Sequence, residues 1–411
     1  MGTSIRSRRW DELFAARTRD ASEGLASILA LSTARDIISF SGGFPDPATF
    51  PGPVLAEILD KLIAAGDTST MQYAPTLGLP GPRAFIAERL ERLEGRPPEE
   101  EGELLITSGN IEALELLSKT FVDPGDLVLV EGPSYLGAIM AFQSFQADVR
   151  DVPMDDDGLD VEALERRLAR GERPKFLYTI PDHQNPAGVS LSEERRRALV
   201  ELSRRYRFLV VEDVAYRELG FHQDRIPSLW SLAPDTVLQA GTFSKTFFPG
   251  VRLGWAAGPS EVVAKLVVAK QNTDQCAGAL GQRLLEEYGR QGLLDEQNAR
   301  ARSLYARRWS LLHEALEGDM PEGVNWTRPR GGFFTWLTLP PGLDAIDLGE
   351  QAMAEGVAFV PGVPFFPDGR GRNNLRLAFS RIEDKEISEG VRRLASLFRR
   401  ALEEATNHDR R

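Results

Sequence analysis

A short and nearly continuous apolar run, F-L-V-V at residues 208–211, narrows the possible folds of this chain more than any other feature. Such runs are typical of parallel strands that are buried on both faces. Other apolar strands alternate with helical segments through the middle of the chain, which predicts a mostly parallel α/β sheet. Asp213 lies at the end of the run, where open α/β sheets place groups that bind ligands. It is therefore a candidate site residue, although a lone aspartate at such a place is often a helix cap.

Length and composition limit the class of protein. A chain of 411 residues exceeds what one hydrophobic core usually supports, so two or more domains are expected. The net charge of -12 argues against nucleic acid or an anionic membrane as the main partner. Cys276 is the one cysteine of the sequence, which permits no internal disulfide and no cysteine-rich metal site, and fits a cytoplasmic location. The sequence has neither the pattern of a signal peptide nor a long apolar window, so neither a leader nor a transmembrane helix is expected.

A lysine between two hydroxyls marks a second motif, G-T-F-S-K-T-F-F-P-G-V-R-L-G at residues 241–254. Lys245 is flanked by Thr242 and Ser244, and Arg252 follows a Pro-Gly turn. A lysine amine condenses with an aldehyde, while hydroxyls and a guanidinium are suited to holding a phosphate. These are the groups that pyridoxal 5'-phosphate (PLP) requires. A solvated lysine in a surface loop is the other interpretation of the same stretch.

An anion site is predicted in the stretch L-L-I-T-S-G-N-I-E-A-L, which has the pattern of a strand, a turn and a helix. The turn is Ser108, Gly109 and Asn110, and the helix begins near Ile111. Free backbone N–H groups at a helix N-terminus bind anions, so this turn is a second candidate for holding a phosphate. It is not a Walker loop, because no Gly-Lys-Ser/Thr follows it.

The chain resembles the class I/II aminotransferases, which are fold-type I PLP enzymes, from about Trp10 to Arg400. Several motifs match in the family's order: those above, N-P-A-G at residues 185–188 and N-L-R-L at 374–377. The resemblance is closest to the branch that contains 2-aminoadipate and multi-substrate aminotransferases. It implies a large domain with a mostly parallel seven-stranded sheet, a small α+β domain built from both termini, and a homodimer.

This resemblance divides the chain into three stretches. Residues 1–52 hold N-terminal helices and an entry loop that belong to the small domain. Residues 53–310 form the large PLP-binding domain with an interdomain helix, and 311–411 complete the small domain. Apolar residues at helical spacing predict one or two short helices within 11–33, and a C-terminal helix is predicted from about 383 to 405.

The PLP contacts of the family are transferred onto this sequence residue by residue. The resemblance implies that Lys245 carries PLP as a Schiff base, that Asp213 pairs with the pyridine nitrogen, and that Tyr135 stacks on the ring. Asn185 and Tyr216 are expected to donate to the ring oxygen O3'. The phosphate contacts are expected from Ser108, Gly109, Asn110, Ile111, Thr242, Ser244, Arg252 and, from the other subunit, Tyr73.

The expected substrate contacts are the backbone of Gly42 and Gly43, Asn185, and Arg376, which would bind the α-carboxylate. Leu375 and Leu377 point into the core if this stretch is a strand, which turns Arg376 toward the cleft. His183 stands where many relatives carry an aromatic residue, and we expect it to be structural rather than catalytic.

The implied activity is transfer of the amino group of an L-amino acid to a 2-oxo acid, with 2-oxoglutarate as the expected acceptor. Lys245 would move the substrate proton as general base and acid. The main alternative is a PLP-dependent lyase, cyclase, oxidase or C–C bond-forming enzyme on the same fold, because these motifs fix only the early steps. Departures from the family pattern at Asn110, Ile111, His183 and residues 272–278 keep this alternative open.

Two other classes are weaker alternatives. A transcription regulator with an aminotransferase-like domain would carry a winged-helix domain ahead of Ile37, and the stretch before it is too short for one. A purely structural or binding protein would not be expected to keep the motifs described above. The amino donor is left open: aminoadipate-type members carry an arginine in an N-terminal helix, whereas E-G-L-A-S-I-L at residues 23–29 has none, so an acidic donor side chain is not expected.

Overall fold

The structure is a computed structural model that describes residues 10, 13–19, 37–98, 101–222 and 226–409. The strands in these residues are, in chain order, β1 (Ile38–Ser39), β2 (Leu104–Thr107), β3 (Leu127–Gly132), β4 (Asp148–Asp155), β5 (Gly158–Leu159), β6 (Phe176–Thr179), β7 (Leu209–Asp213), β8 (Val237–Thr242), β9 (Gly254–Ala257), β10 (Asn325–Trp326), β11 (Phe334–Thr338), β12 (Val357–Ala358), β13 (Val360–Pro361) and β14 (Asn374–Ala378).

The helices of the same described ranges lie mainly between these strands. They are α1 (Ala16–Arg19), α2 (Gly52–Ala64), α3 (Pro80–Glu94), α4 (Asn110–Phe121), α5 (Leu136–Ser144), α6 (Val161–Ala169), α7 (Glu193–Tyr206), α8 (Leu229–Leu232), α9 (Ser260–Gln271), α10 (Ala279–Arg290), α11 (Leu293–Asp319), α12 (Ala345–Ala354) and α13 (Asp384–Asp409). None of them is both long enough and apolar enough to span a membrane.

The central sheet has the strand order β2-β9-β8-β7-β6-β3-β4-β5. Strands β8, β7, β6, β3 and β4 are parallel, whereas β9 is antiparallel to both of its neighbours. The predicted mostly parallel sheet is therefore confirmed. The seven strands expected from the resemblance are joined by an eighth within the described residues, because β5 turns back on β4 as a two-residue antiparallel edge strand. Gly158 has a φ of 91°, which a glycine adopts readily, and this permits the tight turn.

Strand β7 is buried on both faces, as its sequence predicts. Val210 packs in one apolar cluster with residues of α3 and α7, and Val211 packs in the cluster on the other face with residues of α4, α5 and α11. The alternation of side chains along a strand produces this division. Because β7 is central and fully covered, its carboxyl end is a fixed point for the site.

A second sheet, with the order β10-β11-β14-β13, is antiparallel, and β1 pairs with β12 in a separate parallel pair. This region contains the strands expected of a small α+β domain. The division at residues 52 and 310 stays a prediction, and α11 runs without interruption across the second of these positions. The C-terminal helix is confirmed and is longer than predicted, since α13 ends at Asp409. Of the helices predicted within 11–33, α1 is described, and residues 20–36 lie outside the described residues.

Helix α11 contacts several loops around the carboxyl end of the sheet. Gln297 donates through its amide to the carbonyl oxygen of Phe247. Arg302 donates to the carbonyl oxygen of Glu218 at 3.2 Å. One turn further on, the Tyr305 hydroxyl accepts from the backbone N–H of residue 46 at 3.1 Å. Successive turns of this helix therefore touch three different loops that border the site.

Candidate active site

Lys245 lies in the turn that follows β8 and is half-buried. Its Nζ donates to the carbonyl oxygen of Gly43 at 2.9 Å and lies 5.8 Å from the ring centroid of Phe333. Burial and the nearby guanidinium of Arg376 lower the pKa of Lys245 to about 8, although Asp213 opposes this shift. A lysine with such a pKa is partly neutral near physiological pH, and the neutral amine is the form that attacks an aldehyde.

Asp213 is buried at the carboxyl end of β7. Its Oδ2 accepts hydrogen bonds from Asn110 Nδ2 and from the Tyr178 hydroxyl, each at 2.6 Å, and its Oδ1 accepts from the backbone N–H of Ala215 at 3.0 Å. Burial raises the pKa of Asp213, and these three hydrogen bonds oppose the rise. Asp213 is therefore more than a local cap, because two of its donors come from other parts of the chain.

Tyr178 is a site residue that the sequence analysis missed. Tyr178 lies on β6 in register with Val211 of β7. Because Val211 and Asp213 are two residues apart on one strand, Tyr178 points to the same face of the sheet as the Asp213 carboxylate. Without the register, Tyr178 looks like an ordinary residue of an apolar strand. Asn110 was predicted only as part of the phosphate turn. The structure places its side-chain amide on Asp213, and its predicted phosphate contact stays a prediction.

Arg252 connects the two predicted halves of a phosphate cup. Its guanidinium lies 3.3 Å from Ser244 Oγ on one side and 3.3 Å from the carbonyl oxygen of Ser108 on the other. Thr242 Oγ1 lies 3.0 Å from Ser244 Oγ. The N-cap of α4 is Gly109, with a φ of 107°, and no side chain of the described ranges caps the helix there. A Cβ at Gly109 would lie 2.8 Å from Arg252 Nη2, and the positive φ of this residue favours glycine.

The hydrogen-bond donors of Ser108 are directed to carboxylates. Its backbone N–H donates to Glu112 at 2.5 Å, and its hydroxyl donates to Asp274 at 2.7 Å. Both carboxylates also bind the fully buried Lys270. The structure thus places Ser108 in the cup, and its predicted contact with phosphate stays a prediction. The first turn of α4, which includes Ile111, has backbone N–H groups with no acceptor inside the helix.

Arg376 lies on β14, opposite the buried side chains of Leu375 and Leu377. Its Nη1 donates to Asn185 Oδ1 at 2.9 Å, and its Nη2 donates to the carbonyl oxygen of Ser41 at 2.8 Å. Burial lowers the pKa of Arg376 to about 10. The guanidinium Nε is buried and has no hydrogen-bond partner among the residues that the structure describes.

Aromatic rings surround these charged groups. The ring centroids of Phe334 and Phe365 lie 4.2 and 5.0 Å from the Arg376 guanidinium carbon. Tyr216 is buried and packs edge-on against Phe334 and its neighbour Phe333, and burial raises its pKa. Tyr135 is half-buried, and burial raises its pKa to about 12. The site therefore has an apolar wall that weakens solvent screening of its charges.

The remaining predicted residues lie at the edge of this site or beside it. Gly42 is buried in the loop that contacts Lys245 and Arg376, and a Cβ at Gly43 would lie 2.5 Å from the ring of Phe334. Tyr73 is 80% exposed and lies on the surface of the chain. His183 packs against Gly220 and Gly331, and burial lowers its pKa to about 4. This packing agrees with the structural role expected for His183.

The chain matches a family model described as aminotransferase class I and II over residues 35–394. The chain belongs to the class I and II aminotransferases. The 2-aminoadipate transaminase of Thermus thermophilus is 41% identical over 94% of this chain and 96% of that protein. The aromatic-amino-acid aminotransferase 1 of Thermococcus litoralis is 37% identical over 91% of each chain.

A crystal structure of the α-aminoadipate aminotransferase of Thermus thermophilus, complexed with N-(5'-phosphopyridoxyl)-L-leucine, has a TM-score of 0.89 to this aminotransferase. The two are 39% identical, and the match covers 96% of this chain and 99% of that one. The fold-type I architecture and the PLP-dependent aminotransferase activity predicted from the sequence are confirmed. The alternative PLP reactions are not favoured by these relatives.

The site of this aminotransferase fits PLP on its own geometry. The charges of Arg376, Arg252 and Asp213 all act on Lys245, so two guanidinium groups lie near the lysine, and the site is suited to ligands that bring phosphate and carboxylate groups. The open end of α4 beside Arg252 suits a phosphate. Within the described part of the chain, the buried Nε of Arg376 has no hydrogen-bond partner, which leaves a donor for an incoming acceptor.

The lowered pKa of Lys245 predicts how its reactivity depends on pH. In the cofactor-free protein, acylation of Lys245 by an amine-directed reagent should rise with pH and level off above a midpoint near 8, because only the neutral amine attacks. Peptide mapping by mass spectrometry at a series of pH values measures this midpoint.

Arg376→Met should raise the midpoint of Lys245 labelling, since the variant removes a repelling charge. The exposed Lys385 serves as the control, because the Glu383 carboxylate raises its pKa and its labelling should still be increasing when Lys245 has levelled off. A midpoint near the ordinary lysine value of 10.5 would contradict the prediction.

Proposed function

We propose that this aminotransferase carries PLP on Lys245 and transfers the amino group of an L-amino acid to 2-oxoglutarate, with Arg376 holding the α-carboxylate of each substrate. The observation that carries this proposal is the loop at residues 41–43. The carbonyl oxygen of Ser41 binds Arg376, and the carbonyl oxygen of Gly43 binds Lys245. The carbonyl groups that bind Arg376 and Lys245 are therefore two residues apart in one loop, which places the guanidinium for the carboxylate and the amine for the proton side by side.

Each residue has a separate part in this proposal. When bound, PLP supplies an aldehyde for the lysine and an electron sink for the substrate Cα. Asp213 keeps the ring nitrogen protonated, and Asn185 and Tyr216 donate to O3'. Support for Asn185 as a donor comes from its hydrogen bond with Arg376, which uses the side-chain oxygen and leaves the amide nitrogen to donate. Lys245 then moves the proton from Cα, because its pKa is close to neutrality.

The phosphate of PLP is assigned to the cup around Arg252. Thr242 and Ser244 offer hydroxyls to it, and Gly109, Asn110 and Ile111 offer backbone N–H groups from the N-terminal end of α4. Ser108 would turn its hydroxyl from Asp274 to the phosphate. Tyr135 is assigned to the ring face, and Gly42 and Gly43 to the substrate. The chemistry of each of these groups supports its assignment.

We also propose a homodimer in which Tyr73 reaches the site of the partner subunit. Met71 and Tyr73 are 76% and 80% exposed, and Ile63 and Leu280 are also exposed. Exposed apolar side chains of this size are typical of surfaces that another chain covers. A cytoplasmic location is proposed as well, and the single cysteine supports it.

The reaction outcome is tested by supplying one substrate alone. The PLP-loaded enzyme given an amino acid from a panel, without a 2-oxo acid, should convert one equivalent per site and then stop, because the amino group stays on the cofactor. Addition of 2-oxoglutarate should restart turnover and yield glutamate. The 2-oxo acid formed and the visible spectrum measure this. Continued turnover without a 2-oxo acid, with or without oxygen, would support a lyase or oxidase instead, and restart by other 2-oxo acids only would refute the proposed acceptor.

Arg376→Lys tests the carboxylate role. The variant keeps the charge and loses the guanidinium fork, so kcat/KM for the amino acid should fall by roughly 30-fold, equivalent to about 2 kcal/mol. PLP binding, followed by the visible spectrum, should be unchanged. Arg372→Lys is the control, because Arg372 is exposed and pairs with Asp344 away from the site. Equal kinetics in the two variants would exclude Arg376 from substrate binding.

A subunit-mixing experiment tests the proposed role of Tyr73. Lys245→Ala subunits and Tyr73→Phe subunits each give impaired dimers, but their heterodimer would combine a native lysine and a native tyrosine in one of its two sites. A 1:1 mixture should therefore reach up to about a quarter of wild-type activity by this statistical pairing. The control replaces the first partner by the Lys245→Ala/Tyr73→Phe double variant, which cannot form a native site in trans. No gain over this control would show that Tyr73 does not act across subunits.

A further inference from the structure

Asn185 and Tyr216, which are proposed to hold O3' of PLP, lie on two loops that are distant in sequence. The first loop runs from residue 181 to 191 after β6, and the second follows β7 and includes the short turn Arg217–Leu219. A direct ion pair joins the two loops. Arg217, next to Tyr216, donates from Nη1 to Asp182 Oδ2 at 2.9 Å. Asp182 precedes Asn185 by three residues, so the contact is close to both proposed O3' donors.

The guanidinium of Arg217 is held from its other side by helix α3. Its Nε and Nη2 form a two-point contact with the carboxylate of Glu94, at 2.8 Å for each bond, and Nη2 also donates to the carbonyl oxygen of Ile226 at 3.0 Å. The side chains of Arg217 and Glu94 are only 8% and 2% exposed. A buried guanidinium with this many partners has one orientation.

Asp182 is fixed as firmly as Arg217. Arg196, on α7, binds Asp182 Oδ1 at 2.7 Å and also donates to the carbonyl oxygens of Pro181 at 2.8 Å and Leu191 at 3.0 Å. Arg196 therefore holds both ends of the loop that carries Asn185. Burial alone would raise the pKa of Asp182, but the guanidiniums of Arg217 and Arg196 outweigh it and hold this pKa well below its usual range. The carboxylate stays charged over the working pH range, and the ion pair stays intact.

We propose that Arg217 is a positioning residue that sets the separation of Asn185 and Tyr216 and thereby controls the charge on O3' of the cofactor. The inference rests on the proposed roles of those two residues. Two donors stabilise the ionised oxygen and shift the pH midpoint of the visible absorption of the PLP-loaded enzyme downward. If the loops move apart, at least one hydrogen bond lengthens, and the midpoint rises.

Arg217→Lys is the variant that tests this. It keeps the positive charge but cannot bind Glu94 at two points and reach Asp182 as well. The midpoint of the visible absorption, measured by pH titration of the PLP-loaded enzyme, should rise by about 0.5 unit or more, the change expected when a hydrogen bond to a charged group is weakened. If this variant does not fold, Asp182→Asn removes the negative charge that binds Arg217, with little change of volume, and should raise the midpoint as well.

Arg89→Lys is a matched control. Arg89 projects from α3, the helix that carries Glu94, is buried, and forms a two-point contact with Glu218, the neighbour of Arg217 in the same turn. It has no hydrogen bond with the loop that carries Asn185 among the described residues. Both variants should lower the melting temperature, but Arg89→Lys should leave the midpoint within error of wild type. Equal midpoint shifts in the two variants would overturn the proposal, because they would indicate a general loss of packing.

A second background separates this inference from the proposed function on which it rests. Tyr216→Phe removes one proposed donor and should raise the midpoint by itself. In the Tyr216→Phe background, Arg217→Lys should add less than it does alone, because part of its effect passes through the missing hydroxyl. Full additivity would overturn the positioning role of Arg217. No shift in Tyr216→Phe would instead refute the proposed role of Tyr216.

Discussion

The buried carboxylate of Asp213 is the group on which the geometry of this site depends. An ionised carboxylate away from water is unfavourable by several kcal/mol unless charges and donors offset it. Tyr178 and Asn110 provide two such donors from β6 and from the first turn of α4. Because α4 begins beside Arg252, the hydrogen bond between Asn110 and Asp213 links the surroundings of this guanidinium to the carboxyl end of β7. Among the described residues, the buried side-chain oxygen of Asn110 has no hydrogen-bond partner, whereas its amide nitrogen donates to Asp213.

The cations of the site complement Asp213 and are organised by backbone rather than by counter-ions. Lys245 donates to the carbonyl oxygen of Gly43, and Arg376 donates to that of Ser41. Carbonyl groups hold the two cations in place without neutralising them, so the positive charge remains for the phosphate and carboxylate that the ligands bring. Burial is the main reason why the pKa values of both groups are below their ordinary values, and for Lys245 the charge of Arg376 adds to the shift while Asp213 opposes it.

Much of the fold and the identity of the central residues could be predicted from the sequence because they depend on local pattern. The apolar run before Asp213 predicts a buried strand, and the motif around Lys245 predicts a lysine among phosphate ligands. The role of Tyr178 could not be predicted, because it depends on the register of β6 against β7. The partners of Ser108 were missed for a similar reason, since Asp274 is 166 residues away in the chain. The edge strand β5 of the central sheet could not be predicted either, because two residues are too few to show the alternation that indicates a strand.

The contacts of helix α11 impose a constraint of a different kind, on insertions and deletions. Gln297, Arg302 and Tyr305 meet three loops of the site from successive turns of this helix. One added residue would rotate everything beyond it by about 100° and advance it by about 1.5 Å. The later contacts would then face away from their loops while the earlier ones stayed in place. Exposed positions of this segment are free to vary in sequence, but its length is fixed by the spacing of the loops that it joins.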